Sequence, residues 1–386
     1  MKIKHLSIAI VIGVLFLAGC SSTKESLIPE LEPAERPKFE KTQSIVRNWS
    51  VGLGAGFDSS HVGLTPRLAG ENVYAASPEG HVVAVNAETG RKAWAVNLRE
   101  SISGGVGAGI GLIFVGTYEG NVYALDATSG DTRWKVAVSS VVTAPPMATD
   151  GRVVVRTADG RLSGLNVENG VEVWSIVRQV PSLSLLGDAE PLLERGVVIV
   201  GFPNGKLLAA ELEGGRVLWE IPVAYPRGRN ELERLVDVDA RTSLVRGTLF
   251  SASYQGAIIA LSLEERAVLW TSEVATHHAF AIDMQYLYAV DRDSRVVALN
   301  LLTGKNVWTN DKLLYRELSA PASLGPYIIL SDFDGIVYVL DKRNGEFLGD
   351  YEIGGEGLVS QPLIRLDKAY LLNTSGELRS ISAARR

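Results

Sequence analysis

The sequence predicts an all-β protein, an eight-bladed β-propeller of four-stranded blades whose ring is closed by the N-terminal strand joining the last blade. Three observations lead to this prediction. A unit of about 40 residues recurs along residues 44–386, its apolar residues alternate with polar ones, and most copies carry a tryptophan at one fixed position. Alternation with a period of two favours strands over helices.

The composition is that of a folded protein and excludes several other classes. Of the 386 residues, 46% are hydrophobic and 21% are charged, which excludes disorder, a collagen-like chain and a coiled coil. The formal net charge of −6 offers no basic surface for a nucleic acid, so none is expected as a partner. The single cysteine excludes an intramolecular disulfide framework and a CxxC motif.

Residues 1–19 have the pattern of a secretory signal peptide. Lys2 and Lys4 precede an apolar run over residues 6–17, which is shorter than the roughly 20 residues that a membrane span needs. The following Leu-Ala-Gly-Cys resembles a bacterial lipobox, which implies cleavage before Cys20 and its lipidation. In that class of signals, Ser21 rather than Asp implies the outer membrane.

Residues 20–43 are predicted to be a flexible tether between the lipidated cysteine and the propeller. The stretch is polar, has no apolar period and is interrupted by Pro29, Pro33 and Pro37. The propeller is therefore expected to occupy residues 44–386.

The repeat itself is visible in residues 73–98 (VYAASPEGHVVAVNAETGRKAWAVNL) and 113–138 (IFVGTYEGNVYALDATSGDTRWKVAV). Each copy contains two turns at which glycine supplies a positive φ without steric cost. The first turn carries Gly80, Gly120, Gly160, Gly205, Gly256, Gly335 and Gly376, with Ser294 as the exception. The second carries Gly90, Gly130, Gly170, Gly215, Gly304 and Gly345, with Arg266 as the exception.

The tryptophans set the number of blades and the way in which the ring closes. Six of them lie fourteen residues after the first-turn position of their repeat: Trp94, Trp134, Trp174, Trp219, Trp270 and Trp308. Trp49 precedes the first repeat, and the last copy stops before its own tryptophan position, so the strand around Trp49 is expected to complete the eighth blade. Gly349 at the tryptophan position of the seventh copy predicts one missing contact. We assign all seven indoles a structural role, packed between blades.

The sequence contains little that indicates a catalytic site. Segments such as AVNAETGRKAW resemble the tryptophan-docking motif of quinoprotein dehydrogenases, which implies an eight-bladed propeller binding pyrroloquinoline quinone and calcium. Those enzymes stack the quinone against adjacent cysteines, and this chain has only Cys20. His277 and His278 are expected to point to opposite faces of an extended segment, which disfavours a metal site. No nucleotide-binding glycine motif or Ser-His-Asp pattern occurs, so we expect no catalytic residues, cofactor or metal.

Irregular spacing indicates where a partner could dock. Successive repeat tryptophans are 40, 40, 45, 51 and 38 residues apart, and the two long intervals are consecutive. They contain PSLSLLGD at residues 181–188 and ELERLVDVD at residues 231–239. Alternation would place Leu183 and Leu185 on one side, and would turn Asp237 and Asp239 outward. The residues alone allow a docking patch with apolar anchors, or ordinary core leucines beside solvated aspartates, and favour the second. Two carboxylates are too few to indicate calcium.

The lipobox, the tether, the repeats and the two inserted motifs PSLSL-x-G and RL-x-DVD, in this order, resemble the BamB family. Its members are lipoprotein subunits of the outer-membrane β-barrel assembly machinery (the BAM complex) of Gram-negative bacteria. The resemblance implies a non-enzymatic scaffold that contacts the POTRA domains of BamA through Leu183, Leu185, Asp237 and Asp239. Leu186 stands where the family often has arginine, and Arg234 is the nearby candidate to replace that arginine.

The same resemblance implies that the protein is anchored to the outer membrane and faces the periplasm. Partners would be BamA, the rest of the BAM complex and unfolded outer-membrane proteins, the last by β-augmentation on exposed strand edges. A quinoprotein dehydrogenase and a propeller that binds cell wall or glycan remain the alternatives.

Overall fold

A computed structural model describes residues 32–54, 56–57, 64–183, 189–226, 229–230, 235–238, 240–254 and 256–385. The predicted signal peptide and Cys20 lie outside these ranges. Throughout the described ranges the regular structure is β-strand, and no helix there is long and apolar enough to cross a membrane.

The strands form eight antiparallel sheets of four strands each, which confirms the predicted architecture. Blades 1 to 4 contain β2 (Arg67–Ala69), β3 (Asn72–Ala76), β4 (His81–Asn86) and β5 (Lys92–Asn97); β6 (Ile102–Gly109), β7 (Leu112–Thr117), β8 (Asn121–Asp126) and β9 (Thr132–Ala137); β10 (Met147–Thr149), β11 (Arg152–Arg156), β12 (Arg161–Asn166) and β13 (Glu172–Val177); β14 (Leu192–Glu194), β15 (Val197–Gly201), β16 (Lys206–Glu211) and β17 (Val217–Pro222).

Blades 5 to 8 contain β18 (Ser243–Val245), β19 (Thr248–Ala252), β20 (Ile258–Ser262) and β21 (Ala267–Ser272); β22 (Ala281–Ile282), β23 (Tyr286–Val290), β24 (Val296–Asn300) and β25 (Asn306–Asn310); β26 (Ala322–Leu324), β27 (Tyr327–Ser331), β28 (Ile336–Asp341) and β29 (Phe347–Glu352); β30 (Leu363–Arg365), β31 (Lys368–Leu372), β32 (Glu377–Arg385) and β1 (Gln43–Gly52). First strands of neighbouring blades contact one another, as in β2 with β6 and β22 with β26, so these strands surround the axis.

Blade 8 is assembled from both ends of the chain, as the sequence predicts. β1 pairs antiparallel with β32 and becomes the outermost strand of the blade, with Trp49 opposite Ser380. The pairing joins residues 325 to 342 positions apart, and it leaves the ring without an open end between blade 8 and blade 1.

The last part of the predicted tether is packed rather than flexible. The backbone N–H of Ala34 donates to the carbonyl of Leu314 at 2.9 Å. The ring of Phe39 stacks on Phe347 with centroids 5.2 Å apart. Residues 34–42 therefore lie along blade 7 before β1 begins, because an aromatic side chain and backbone hydrogen bonds hold them there.

Gly349 in β29 makes room for this passage. A Cβ atom at Gly349 would lie 2.6 Å from the carbonyl oxygen of Gln43, the first residue of β1. The absence of tryptophan from blade 7 thus accompanies a different contact, in which β1 itself covers β29.

The other tryptophans join neighbouring blades through one repeated contact. Six indole N–H groups donate to a backbone carbonyl in the second turn of the next blade, at 2.8–3.1 Å. The pairs are Trp49 with Ala87, Trp94 with Ala127, Trp134 with Val167, Trp174 with Leu212, Trp270 with Leu301 and Trp308 with Lys342.

The glycine of the same turn lies against the face of the indole. A Cβ atom at any of these six glycines would lie 2.5–2.9 Å from an atom of the docked tryptophan, which real structures do not tolerate. The six have φ between +66° and +79°, a conformation that also favours glycine. Trp219 is the exception, because Arg266 replaces the glycine, and no described residue accepts a hydrogen bond from its indole.

The contact can be tested by adding one methyl group to a turn. Gly130→Ala places a Cβ about 2.7 Å from the Trp94 ring, so we expect it to lower the free energy of unfolding by about 2–4 kcal/mol. Gly151→Ala is the matched control, since its φ of +77° is nearly that of Gly130 at +79° and the added methyl has no neighbour within 4 Å. The control should cost about 1 kcal/mol in guanidinium unfolding. Equal losses would show that the indole contact contributes nothing.

Candidate partner-docking face

The long insertions both lie at one end of the ring, which we call the connection face. In a four-stranded antiparallel blade, the connection from the fourth strand to the next blade leaves at the same end as the turn between the second and third strands. Residues 178–191 connect β13 to β14, and residues 223–242 connect β17 to β18. The described residues of both predicted docking motifs, 181–183 and 235–238, therefore belong to this face.

Among the predicted contact residues, Leu183 lies within the described part of the chain and is accessible to solvent. Its side chain is 43% exposed, although leucine is among the residues most often buried. Leu185 and Leu186 lie outside the described residues. An exposed leucine on a loop held by a rigid ring has the form of an apolar anchor for a partner.

The second motif is oriented differently from the sequence expectation. Leu235, Val236, Asp237 and Val238 are all buried, and the side chain of Asp237 has no exposed surface. The expectation that Asp237 points outward is therefore wrong. Arg234 and Asp239 lie outside the described residues.

The reason is that residues 235–238 do not form a strand, so alternation does not decide which side chain faces solvent. The segment lies between turns of two blades instead. Tyr254 of blade 5 donates its N–H to the carbonyl of Asp237 at 3.0 Å, and Val238 donates to Phe202 of blade 4 at 3.4 Å. Asp237 thus belongs to the support of the connection face rather than to its surface.

The centre of the connection face contains a buried ion cluster. Glu190 accepts a hydrogen bond from Arg67 at 2.5 Å and lies 3.2 Å from Arg241. Arg67 begins the first strand of blade 1, while Glu190 and Arg241 precede the first strands of blades 4 and 5. The cluster therefore ties distant parts of the ring together across the axis.

The two arginines keep Glu190 ionised. Burial by itself would raise the pKa of this carboxyl group, but the charges of Arg67 and Arg241 and the hydrogen bond from Arg67 lower it below the usual value. A carboxylate held in this way stabilises the fold only while it is charged.

His277 and His278 adjoin the same central space. Their ring centroids are 3.9 Å apart, so the expectation that they point to opposite faces is wrong, because this connection is a bend rather than an extended strand. Burial, and then the neighbouring His277, lowers the pKa of His278 to about 3. The ring of His278 is therefore neutral at physiological pH. In the described ranges no group of three or more His, Cys, Asp and Glu side chains is placed to hold a metal ion.

The axial cavity does not suit a quinone cofactor. Its volume is about 210 Å³, below the roughly 300–1,000 Å³ of ordinary cofactor pockets, and Glu190 and Arg241 line it as an ion pair. The adjacent cysteines on which quinoprotein dehydrogenases stack their cofactor have no counterpart in a chain whose only cysteine is Cys20. The residues present here do not fit pyrroloquinoline quinone.

This ion cluster was not predicted from the sequence, although three of the residues that line the axial cavity share one position in their repeats. Glu190, Arg241 and Gln361 each lie fifteen residues before the first-turn glycine of their repeat, and all three line the axial cavity. Charged residues at that position of a repeat could have been assigned to the axis. Arg67 lies two residues beyond the corresponding position, and nothing in its pattern indicates Glu190 as its partner.

Comparisons with known proteins agree with one another. A family model described as outer membrane protein assembly factor BamB matches residues 58–310. The chain is 42% identical over 364 residues to the outer membrane protein assembly factor BamB of Pseudomonas aeruginosa, covering 94% of this chain and 95% of that protein.

Solved structures show the same fold. The crystal structure of BamB from Moraxella catarrhalis matches with a TM-score of 0.81 at 27% identity, over 88% of this chain and 100% of that one. Quinohemoprotein alcohol dehydrogenase from Comamonas testosteroni matches with a TM-score of 0.68 at 13% identity, over 88% and 76% of the two chains. The second likeness concerns the fold alone.

The ion cluster predicts a pH-dependent loss of stability. Glu190→Gln leaves Arg67 and Arg241 without their carboxylate, so we expect the free energy of unfolding at pH 7 to fall by about 3 kcal/mol. Because the pKa of Glu190 is lowered on folding, its contribution is complete above the unfolded carboxyl pKa of about 4.3 and is lost as the pH falls through the folded value.

The difference between wild type and Glu190→Gln should therefore shrink in urea unfolding below about pH 4. Glu194→Gln is the control and should cost less than about 1 kcal/mol, since the half-exposed Glu194 pairs, among the described residues, with the exposed Arg195 alone. Equal losses for the two variants at pH 7 would contradict a stabilising role for the cluster.

Proposed function

The chain belongs to the BamB family of outer membrane protein assembly factors, and from this premise we propose that it is a non-enzymatic scaffold that binds BamA through its POTRA domains. Membership rests on 42% identity over nearly the whole of both chains and on a family match across most of the propeller. As a member of this family it takes part in the assembly of β-barrel proteins in the outer membrane.

The docking proposal rests on Leu183. Its exposed side chain lies within the first long insertion, six residues after β13 ends at Val177, and the sequence of the same insertion contains Leu185 and Leu186. The buried segment 235–238 supports the neighbouring surface, so that Arg234 and Asp239, which flank it in sequence, are the polar residues that we propose to face the partner. Leucine anchors with a polar rim are the usual composition of a protein interface.

We propose that the anchor is a lipidated Cys20 in the outer membrane, with the propeller in the periplasm. The lipobox-like segment Leu-Ala-Gly-Cys and Ser21 support this placement. One acylated N-terminus and a tether beginning at residue 20 would keep the ring near the membrane surface without any strand or helix entering it.

Family membership favours a scaffold over an enzyme. The likeness to quinohemoprotein dehydrogenases is at 13% identity and concerns the fold, and the axial cavity does not fit their cofactor. No contact in the described part of the chain favours a glycan ligand. Unfolded outer-membrane proteins are proposed as further partners through the outer strand edges of the blades.

Leu183→Asp tests the docking proposal. It places a charge where an apolar anchor should insert, so we expect at least a tenfold loss of affinity for purified POTRA domains of BamA in surface plasmon resonance. The side chain is already exposed, so the thermal unfolding temperature should stay within a few degrees of wild type.

Leu302→Asp is the matched control for that experiment. Leu302 is 85% exposed and lies in the turn between β24 and β25, at the opposite end of the ring from the connection face. It should bind as wild type does. Wild-type affinity in Leu183→Asp would remove Leu183 from the interface, and no binding by the wild type would contradict the BamA proposal itself.

The anchor is tested by Cys20→Ser. Without the thiol no lipid can be attached, so we expect the protein to move from the membrane fraction to the soluble periplasmic fraction. Ser21→Asp is the companion variant, which should stay lipidated but be retained in the inner membrane. If Cys20→Ser still sediments with outer membranes, the lipid anchor is not what holds the protein there.

A further inference from the structure

The interface between blades 4 and 5 lacks the indole contact that joins most other blades. Trp219 on β17 is half-buried, and no described residue accepts a hydrogen bond from its indole N–H. The second turn of blade 5 carries Arg266 in the place of glycine, with φ +53°. A side chain at this position occupies the space that the docked indole would need, as the contacts of the six turn glycines show.

A second difference enlarges the gap. In blades 1, 2, 5 and 6 the tryptophan packs on an aromatic ring of the second strand, with centroids 5.8–6.0 Å apart. The facing residue in blade 4 is Ile199, which is smaller. Between blades 4 and 5 there is consequently a cavity of about 580 Å³ lined by Ile199, Trp219, Leu244 and Leu263.

The rim of this cavity carries the guanidinium groups of three arginines and the carboxylates of Glu194 and Glu264, an excess of one positive charge. Arg195 projects from the turn between β14 and β15, Arg246 from the turn between β18 and β19, and Arg266 from the second turn of blade 5. Arg195 lies 3.3 Å from Glu194, whereas neither Arg246 nor Arg266 forms an ion pair with any described residue. Two guanidinium groups that form no ion pair with a described carboxylate therefore border an indole and several aliphatic side chains.

We propose that the blade 4–5 cavity binds an acidic peptide segment of a partner protein, with an aromatic side chain against Trp219 and its flanking carboxylates at Arg246 and Arg266. Guanidinium forks match carboxylates in bidentate geometry, and an indole face accepts an aromatic ring in offset or edge contact. The volume lies within the range of ordinary ligand pockets.

The observations favour a peptide over a lipid surface. A flat anionic membrane needs only basic side chains, whereas here an apolar cleft lies between two blades, beside the arginines. The cavity opens beside the turns that join first to second and third to fourth strands, which is the end of the ring opposite the connection face. A segment bound there would leave Leu183 accessible.

The probe is the peptide Gly-Asp-Phe-Asp-Gly, compared with the neutral Gly-Asn-Phe-Asn-Gly. Binding to the full-length protein in a non-ionic detergent is followed by the indole N–H resonance of Trp219, which is identified as the signal missing from Trp219→Phe. We expect the acidic peptide to shift this resonance saturably and the neutral one to bind at least about tenfold more weakly.

Two variants and a control decide the assignment. Arg266→Gly restores the glycine at a positive φ, which allows Trp219 to dock on the turn and close the cavity. It should raise the unfolding temperature and abolish the peptide-induced shift. Arg246→Glu should weaken binding at least about tenfold. Lys305→Glu makes the same charge change at an exposed site in the second turn of blade 6 and should leave binding unchanged.

Three results would overturn the proposal. Wild-type binding in Arg266→Gly would mean that the cavity is not the site. Equal weakening by Arg246→Glu and Lys305→Glu would mean a general charge effect. A shift produced by phosphatidylglycerol vesicles but not by the acidic peptide would assign the surface to lipid instead.

Discussion

The indole-to-glycine contact between blades is the interaction on which the ring depends. Each docked tryptophan donates one hydrogen bond to the next blade and covers a glycine of its second turn, so a single residue type fixes the spacing of two sheets. Apolar side chains then fill the space between the sheets, which removes their faces from water.

The ring departs from this contact at two interfaces, and each departure has its own compensation. At blade 7, Gly349 admits the N-terminal chain, so that β1 covers β29 and then closes blade 8. At blade 4, the insertion after β17 compensates at the other end of the interface. Val238 of that insertion packs in one buried cluster with Leu207 of blade 4 and Leu249 of blade 5.

The sequence predicts those features of the fold that are determined by the repeats and by the local chemistry of the turns. The turn glycines and the tryptophan spacing predict eight blades and the joining of β1 to the last blade, because each signal arises within one repeat or from one missing position. Asp237 shows where this reasoning fails, since alternation holds only in a strand and residues 235–238 are held by two turns. The ion cluster of Arg67, Glu190 and Arg241 depends on the axis, which exists only after the ring has closed.

The two ends of the blade 4–5 interface therefore differ for a physical reason. At the connection face, residues 235–238 of the long insertion are buried and fix the blades through Val238, which gives the proposed BamA-binding surface a rigid base. With that end fixed, the opposite end tolerates Arg266 in place of glycine and leaves Trp219 undocked. The insertion thus holds blades 4 and 5 in place at one end of their interface. The ring can therefore contain a cavity at the other end without either blade shifting.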